Sequence, residues 1–383
     1  MDVSLAPCAQ YQPETCRQAL ETVLAPFGAL DWVRPGMRVG IKVNLVAAMK
    51  PEAAGTTHPV LLCELVKLLA ARGAVPVVGD SPGGLYNAAF VGRVYQATGM
   101  HAVEACGGEL NRDFSVRELE LPEAKAAKTV TVTSWLMNCD AVINFCKLKS
   151  HGMMGMSNAA KNLFGTIPGT MKPEYHFRFP QPETFADMLL DLDDYWLPRV
   201  HICDAVEAME GNGPTAGTPR HLGLVLAAEN PHRLDLLCAK LIGIPPEEVP
   251  TLQAAAQRGY LPQKAEQLEV NTDWRPYCCA DFEYIRERRS LQFQGGSGLI
   301  NRVVRSSLEA RPGVLRAECI GCGKCAQICP ARAITLQKRL PRIDRGKCIR
   351  CFCCQEFCPK GAMKVQRPAI ARLLSPGKGK KPG

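Results

Sequence analysis

Two cysteine runs near the C-terminal end, Cys319-x2-Cys322-x2-Cys325-x3-Cys329-Pro330 and Cys348-x2-Cys351-x2-Cys354-x3-Cys358-Pro359, repeat one ligand spacing. Three thiols two residues apart fit one tight loop and converge on three corners of a cube. A loop that short cannot easily bring a fourth sulfur round, and where two such runs occur the fourth Cys serves the other cluster. The spacing therefore predicts two [4Fe-4S] clusters. One takes Cys319, Cys322, Cys325 and Cys358; the other takes Cys348, Cys351, Cys354 and Cys329. The Pro after each fourth Cys removes a backbone donor and fixes φ at a turn. Zinc is the competing reading, but a zinc site takes four ligands in two pairs, whereas each run offers three close thiols and a fourth before Pro. Cys353 stands inside the second run, either as an alternative ligand or as a small packed side chain.

The segment 312–366 resembles the bacterial two-cluster ferredoxins, with both ligand motifs matching without gaps. At 383 residues the chain is long for a single domain. The expected layout is a large domain over 1–281, a connector over 282–311, the two-cluster unit over 312–366 and a basic tail over 367–383. The connector is marked by a shift to Arg286-Glu287-Arg288-Arg289 and then Gly295-Gly296-Ser297-Gly298, part helix and part loop.

Charge is unevenly placed. From Pro312 onward 16 Lys and Arg face 3 Asp and Glu, which leaves 30 against 34 in the rest of the chain. Two dianionic clusters would lower the C-terminal balance by about four charges and still leave it basic. That end either docks on an acidic redox donor or acceptor, or on the chain's own acidic body, or is a solvated basic surface. The tail Lys378-Gly379-Lys380-Lys381 is too short for a nucleic-acid module, and no base-reading motif is present.

Of the 19 Cys, the eleven outside the ligand sets form no second framework. The start Met1-Asp2-Val3-Ser4 has neither a basic opening nor a long apolar run, and no stretch approaches the roughly 20 apolar residues of a membrane span. A reducing cytoplasm is the expected setting.

The first part alternates strand-like and helix-like segments, which predicts an α/β domain with a mostly parallel sheet and helices on both faces, joined to a small α+β ferredoxin-like unit. Strands are expected at 37–45, 75–79, 139–146, 200–203 and 222–228, and helices from His58-Pro59 to Gly73, at 157–164 and at 231–242. Pro76 suggests an edge or the start of a strand.

Lys42-Val43-Asn44, His58-Pro59, Gly79-Asp80-Ser81-Pro82-Gly83-Gly84, Asn144 through His151 and Ala160-Lys161-Asn162-Leu163-Phe164-Gly165 occur in that order. With Met209 to Pro214 and Leu234-Asp235, they resemble the DUF362 family over about 36–260. The family name assigns no reaction, so the resemblance implies a known partner for a C-terminal ferredoxin without naming a substrate.

The Gly79 to Gly84 loop follows a strand, which in a parallel sheet places it at the carboxyl ends where ligands bind. Gly83 and Gly84 let backbone amides approach an anion, Asp80 and Ser81 offer polar groups, and the loop is neither GxGxxG nor a Walker A. Lys147, Lys149 and His151 alternate along an extended segment, so a period of two puts them on one face. Lys161 follows on a short helix. These cations suit a carboxylate or phosphate, and a desolvated Lys beside others can titrate near neutrality. Lys42, Asn44, Asp80, Ser81, Gly83, Gly84 and Lys147 are expected to bind the ligand. Lys149, His151, Lys161 and His176 are expected to act on it. Glu207 and Glu210 would lie near a turn after the strand ending at Cys203-Asp204, whereas His221 and His232 read as structural or exposed.

The expected function is an iron-sulfur oxidoreductase passing electrons from two clusters to an anionic small molecule or an unidentified cofactor in the large domain. A flavin is compatible with this, yet no flavin-binding fingerprint is visible. The alternatives are a ferredoxin-type carrier whose large domain only docks, and a non-redox enzyme with structural or sensory clusters.

Overall fold

The computed structural model describes residues 1–285 and 310–366. Most of the expected connector, 286–309, and the basic tail, 367–383, lie outside the described residues.

The large domain is built on one mixed sheet of strands β1 (Ser4–Pro7), β2 (Arg38–Lys42), β3 (Val75–Gly79) and β4 (Glu109–Leu110), followed, after a separate hairpin of β5 (Val116–Glu120) and β6 (Thr129–Thr133), by β7 (Ala141–His151), β8 (Gly155–Ser157), β9 (Val200–Glu210) and β10 (Thr218–Ala228). Its order is β1-β10-β9-β7-β2-β3-β4, with β8 beside β7. From β9 to β4 the neighbours run parallel; β10, β1 and β8 are antiparallel.

Period two explains the layers. Ile143 and Phe145 share a core with Leu20 of α1 (Pro13–Leu24) and Leu65 of α2 (Pro59–Ala70), while Cys146 and Leu148 share another with residues Leu234 and Leu237 on the opposite face. All eleven residues of β7 are buried because both faces of this central strand are covered. Any polar side chain on it must therefore find a partner.

Several expected boundaries move. The strand after Val200 does not stop at Cys203-Asp204: its antiparallel neighbour carries the ladder on to Glu210, opposite Thr218. Glu207 and Glu210 thus stand on β9 rather than on a turn. The stretch 157–164 is not one helix, since Ser157 closes β8, a single helical turn covers Ala159–Asn162 and a 3-10 turn follows over Leu163–Thr166. Pro76 lies just before the Val77 and Val78 pairs with β4, so its missing donor interrupts no bond on that side.

The C-terminal unit is a pair of two-stranded ribbons, β11 (Arg311–Val314) with β14 (Met363–Gln366) and β12 (Ile334–Gln337) with β13 (Leu340–Ile343). Each cysteine run passes through a four-residue helix, Lys324–Gln327 and Cys353–Glu356, before its fourth Cys.

Candidate functional site

The carboxyl ends of β2, β3 and β7 meet around a buried polar network. Lys42 Nζ lies 2.8 Å from Asp80 Oδ1 and donates to the Val43 carbonyl at 2.6 Å. The Asp80 carboxylate also accepts from the backbone amides of Leu45 (2.6 Å) and Ser81 (2.8 Å), which fixes its plane. Asn162 Nδ2 donates to Asn144 Oδ1 at 2.7 Å, and Asn162 Oδ1 accepts from Asn44 Nδ2 at 3.0 Å. Asn44 in turn accepts from Lys149 Nζ at 2.8 Å, whose second acceptor is the Gly55 carbonyl at 2.9 Å. Burial, then the charge of Lys161, lowers the Lys149 amine to about 7. Lys42 is lowered by burial against the attraction of Asp80.

Gly165 lets the chain pass this close, because a Cβ there would run into both Asp80 and Lys42. Beyond it, Lys161 and Lys172 each lie 5.6 Å from the Phe164 ring centroid. Lys172 donates to the Ser81 carbonyl, and burial brings it to about 8 against the pull of Asp80. Lys161 has no hydrogen bond or ion pair of its own among the described residues, yet its charge is felt by Lys42, Lys149, His151, Lys172, His176 and Glu356. It is the central cation of this network.

The C-terminal unit packs against one side of this network. His151 Nδ1 accepts from the amides of Met153 (3.1 Å) and Met154 (3.2 Å), so Nε2 carries the proton and donates to Glu356 at 3.1 Å. Burial and Lys161 keep this imidazole neutral, at about 4. Burial works to raise the Glu356 carboxyl, but Lys161 and the His151 hydrogen bond outweigh it and hold the group well below the usual carboxylate range. Around it, Gln355 Nε2 donates to the Asn212 carbonyl at 2.9 Å, and Phe357 lies against Gly83. Phe352 is 1% exposed and shares a core with Met153, Met154 and Phe164.

Of the other expected site residues, Lys147 stands apart. Lys147, on β7 with Lys149, is fully buried in its own ion pair, 3.0 Å from Asp204 and 2.8 Å from the Tyr11 hydroxyl. Tyr11 stacks on His58, which caps α2, at 3.5 Å. Lys147 thus faces a neutralising partner and not the cleft. Lys149 takes different partners, Asn44 and Gly55, and the register of β7 against β9 shifts between the two lysines. His176 is packed against Phe185 at 4.3 Å, neither ring nitrogen has a hydrogen bond, and burial takes it to about 3. Ser81 Oγ accepts from the Gly169 amide at 2.7 Å, and the Gly83 amide donates to the Val46 carbonyl, while Gly84 lies against Phe90. The loop's polar groups therefore hold their own fold. Glu207 pairs with exposed His221 at 2.6 Å, and Glu210 accepts from the Glu283 amide; neither enters the cleft.

Two cavities open in the C-terminal unit. One is lined by Cys319, Cys322, Cys325 and Cys358. The other is lined by Cys329, Cys348, Cys351 and Cys354, with Cys353 also on its wall. The thiols ring a space rather than a point: among the described residues no three Cys, His, Asp or Glu converge as ligands of a single ion do. In a cubane each thiolate binds a different iron.

Sequence reasoning missed Glu356, Phe352, Gln355, Lys172 and Asp204. For Glu356 a signal existed, because only Glu318, Asp344 and Glu356 are acidic in the basic stretch after Pro312. The others required the tertiary fold.

Residues 39–240 match the family model described as a domain of unknown function, DUF362, and residues 318–362 match a 4Fe-4S dicluster domain. A thylakoid-associated protein of Synechocystis sp. is 33% identical over 273 residues, 69% of this chain and 81% of that protein. The lactate racemase apoprotein from Thermoanaerobacterium thermosaccharolyticum aligns with a TM-score of 0.38 at 10% identity, over 61% of this chain and 55% of that one, a likeness too slight to carry an argument. Among the described residues no helix is long and apolar enough to cross a membrane.

Proposed function

The chain belongs to the DUF362 family and carries a C-terminal 4Fe-4S dicluster domain, and from that premise we propose an oxidoreductase that delivers electrons to an anionic small molecule in the lysine cleft. The observation that carries this reading is the short helix Cys353–Glu356: it presents Cys354 to one thiol cavity and Glu356 to the cleft. Two [4Fe-4S] clusters, held crosswise by Cys319, Cys322, Cys325 and Cys358 and by Cys348, Cys351, Cys354 and Cys329, would supply one-electron transfer. The domain division at 282–311 and a reducing, cytoplasmic setting belong to the same reading.

The large domain's residues supply binding and a proton. Lys42, Lys149, Lys161 and Lys172 face only Asp80 and Glu356, a surplus of two positive charges if all are ionised. Desolvated cations in excess either lose protons or take an anion, and the lowered amines of Lys149 and Lys172 reflect the first course. A carboxylate or phosphate ligand supplies the second, with Lys161 as its central anchor. Asn44, Asn144 and Asn162 hold Lys149 in place, and its amine, titrating near 7, can give or take a proton at neutral pH. His151 positions Glu356. Lys147, neutralised by Asp204, has no part in this route, and the reading needs no flavin.

The test is anaerobic reconstitution with iron counting, then electron consumption from a low-potential donor with candidate carboxylates and phosphate esters. About eight irons per chain and a turnover abolished by Lys161→Met are expected. Unchanged electron flow in Lys161→Met and Lys149→Met would instead favour a carrier whose large domain only docks, and four irons or fewer would end the two-cluster assignment.

A further inference from the structure

The two thiol cavities are not equivalent, and their difference gives the C-terminal unit an inner and an outer side. The wall of the Cys348 cavity includes Phe352, a member of the large domain's own core, and its helix plugs the cleft through Glu356. The Cys319 cavity opens the other way. On its lining Cys322 is exposed, Ile320 is 52% exposed and Leu336 is 44% exposed. Lys324 and Lys360 also line it and are exposed, and Arg339 lies against Gly321 in the same ligand loop. None of these three cations has an ion pair among the described residues, and Glu318 is the one acidic side chain in that loop's approach.

We propose that this apolar patch with a basic rim is the docking face for a small acidic one-electron carrier protein, so that electrons enter above Cys319 and Cys322 and leave toward the lysine cleft beside Cys354. The proposal rests on the two-cluster reading. An apolar centre excludes water where the carrier must come close, and the cationic rim steers an anionic surface onto it. In the step itself one electron leaves the reduced carrier, which is oxidised by one unit, and the thiolate-held centre is reduced by one unit. No bond forms or breaks. The opposite side cannot serve, since the large domain already covers it.

The experiment measures binding of a purified flavodoxin, an acidic carrier, to the full reconstituted chain by titration calorimetry at low salt, about 0.075 M, and at about 0.3 M, roughly a twofold change in screening length. Expected is an affinity that falls at least tenfold with salt. The double variant Lys324→Glu with Lys360→Glu should lose about tenfold at low salt, with its iron content and its reduction by dithionite unchanged. Arg17→Glu, on the large domain, should bind as the parent does. Eight irons with no salt-sensitive binding, or equal affinity in the double variant, overturns the docking face. Capture by phosphatidylglycerol vesicles without carrier binding, lost in the double variant, overturns it in favour of a membrane surface. Four irons or fewer overturns the cluster reading instead and is visible in the same samples.

Discussion

Lys149 has two neutral acceptors and no carboxylate partner among the described residues, so its charge is costly in the folded chain. Its folded value near 7 lies below its ordinary 10.5, so between those limits the unfolded chain binds more protons and stability rises with pH. Below 7 the penalty is present in full. Lys149→Met should therefore flatten the rise in thermal midpoint between pH 7 and 10, whatever it does to the midpoint itself; a retained slope would mean that Lys149 is not its source. The same titration makes anion binding weaken above pH 7, because the ligand's partner loses its charge. Gly165 is a second single-residue lever. Gly165→Ala forces a methyl group into the Asp80 and Lys42 pair, and such overpacking costs about 1 to 3 kcal/mol. A lower melting temperature is expected, and loss of anion binding even in whatever fraction stays folded.

At the scale of elements, the helix Cys353–Glu356 joins the two domains, and its approach is strained. Phe352 stands in the left-handed region at φ 60°, which costs about 1 to 2 kcal/mol for a residue with a Cβ. Burial of its ring among Met153, Met154 and Phe164 offsets that cost. Phe352→Ala should release about 3 kcal/mol of this packing. Hydrogen exchange in 350–366 and proteolysis near Asn212 would then rise, while the sheet core around Ile143 stays protected. Unchanged exchange would show that Gln355 and Glu356 suffice to dock the unit. Strand β7 shows what a sequence can and cannot say at this scale. Its pattern predicted a strand over 139–146 and its alternation predicted a shared face for Lys147, Lys149 and His151. The strand is there, but Lys147 meets Asp204 while Lys149 meets Asn44 and Gly55, and each of those partners lies more than fifty residues away.

Over the whole molecule, the large domain has extensive cores on both faces of its sheet, whereas the C-terminal unit's own core is Cys325, Ile334, Cys354 and Met363. A core that small cannot hold a unit of this size without covalent or metal links. Anaerobic removal of iron should make 310–366 protease-sensitive while the large domain keeps its far-UV circular dichroism; a resistant apo unit would mean that docking on Phe352 stabilises it. The local chemistry was legible without coordinates. Ligand spacing, the βα alternation and the motif order from Lys42 to Gly165 are short-range patterns, and they led to the iron-sulfur domain, the DUF362 domain and the central sheet. Lys42, Asn44, Asp80, Lys149 and Lys161 were legible as a group because strand ends in a parallel sheet gather at one edge. Which lysines lack a carboxylate, that Asp204 neutralises Lys147, that aromatic rings enclose His176, and that Glu356 of the cysteine-rich unit closes the cleft were decided by tertiary structure alone. The reason is physical: spacing along the chain fixes which groups sit within one turn or one strand, while the charge and solvation of a buried side chain depend on what distant segments bring against it.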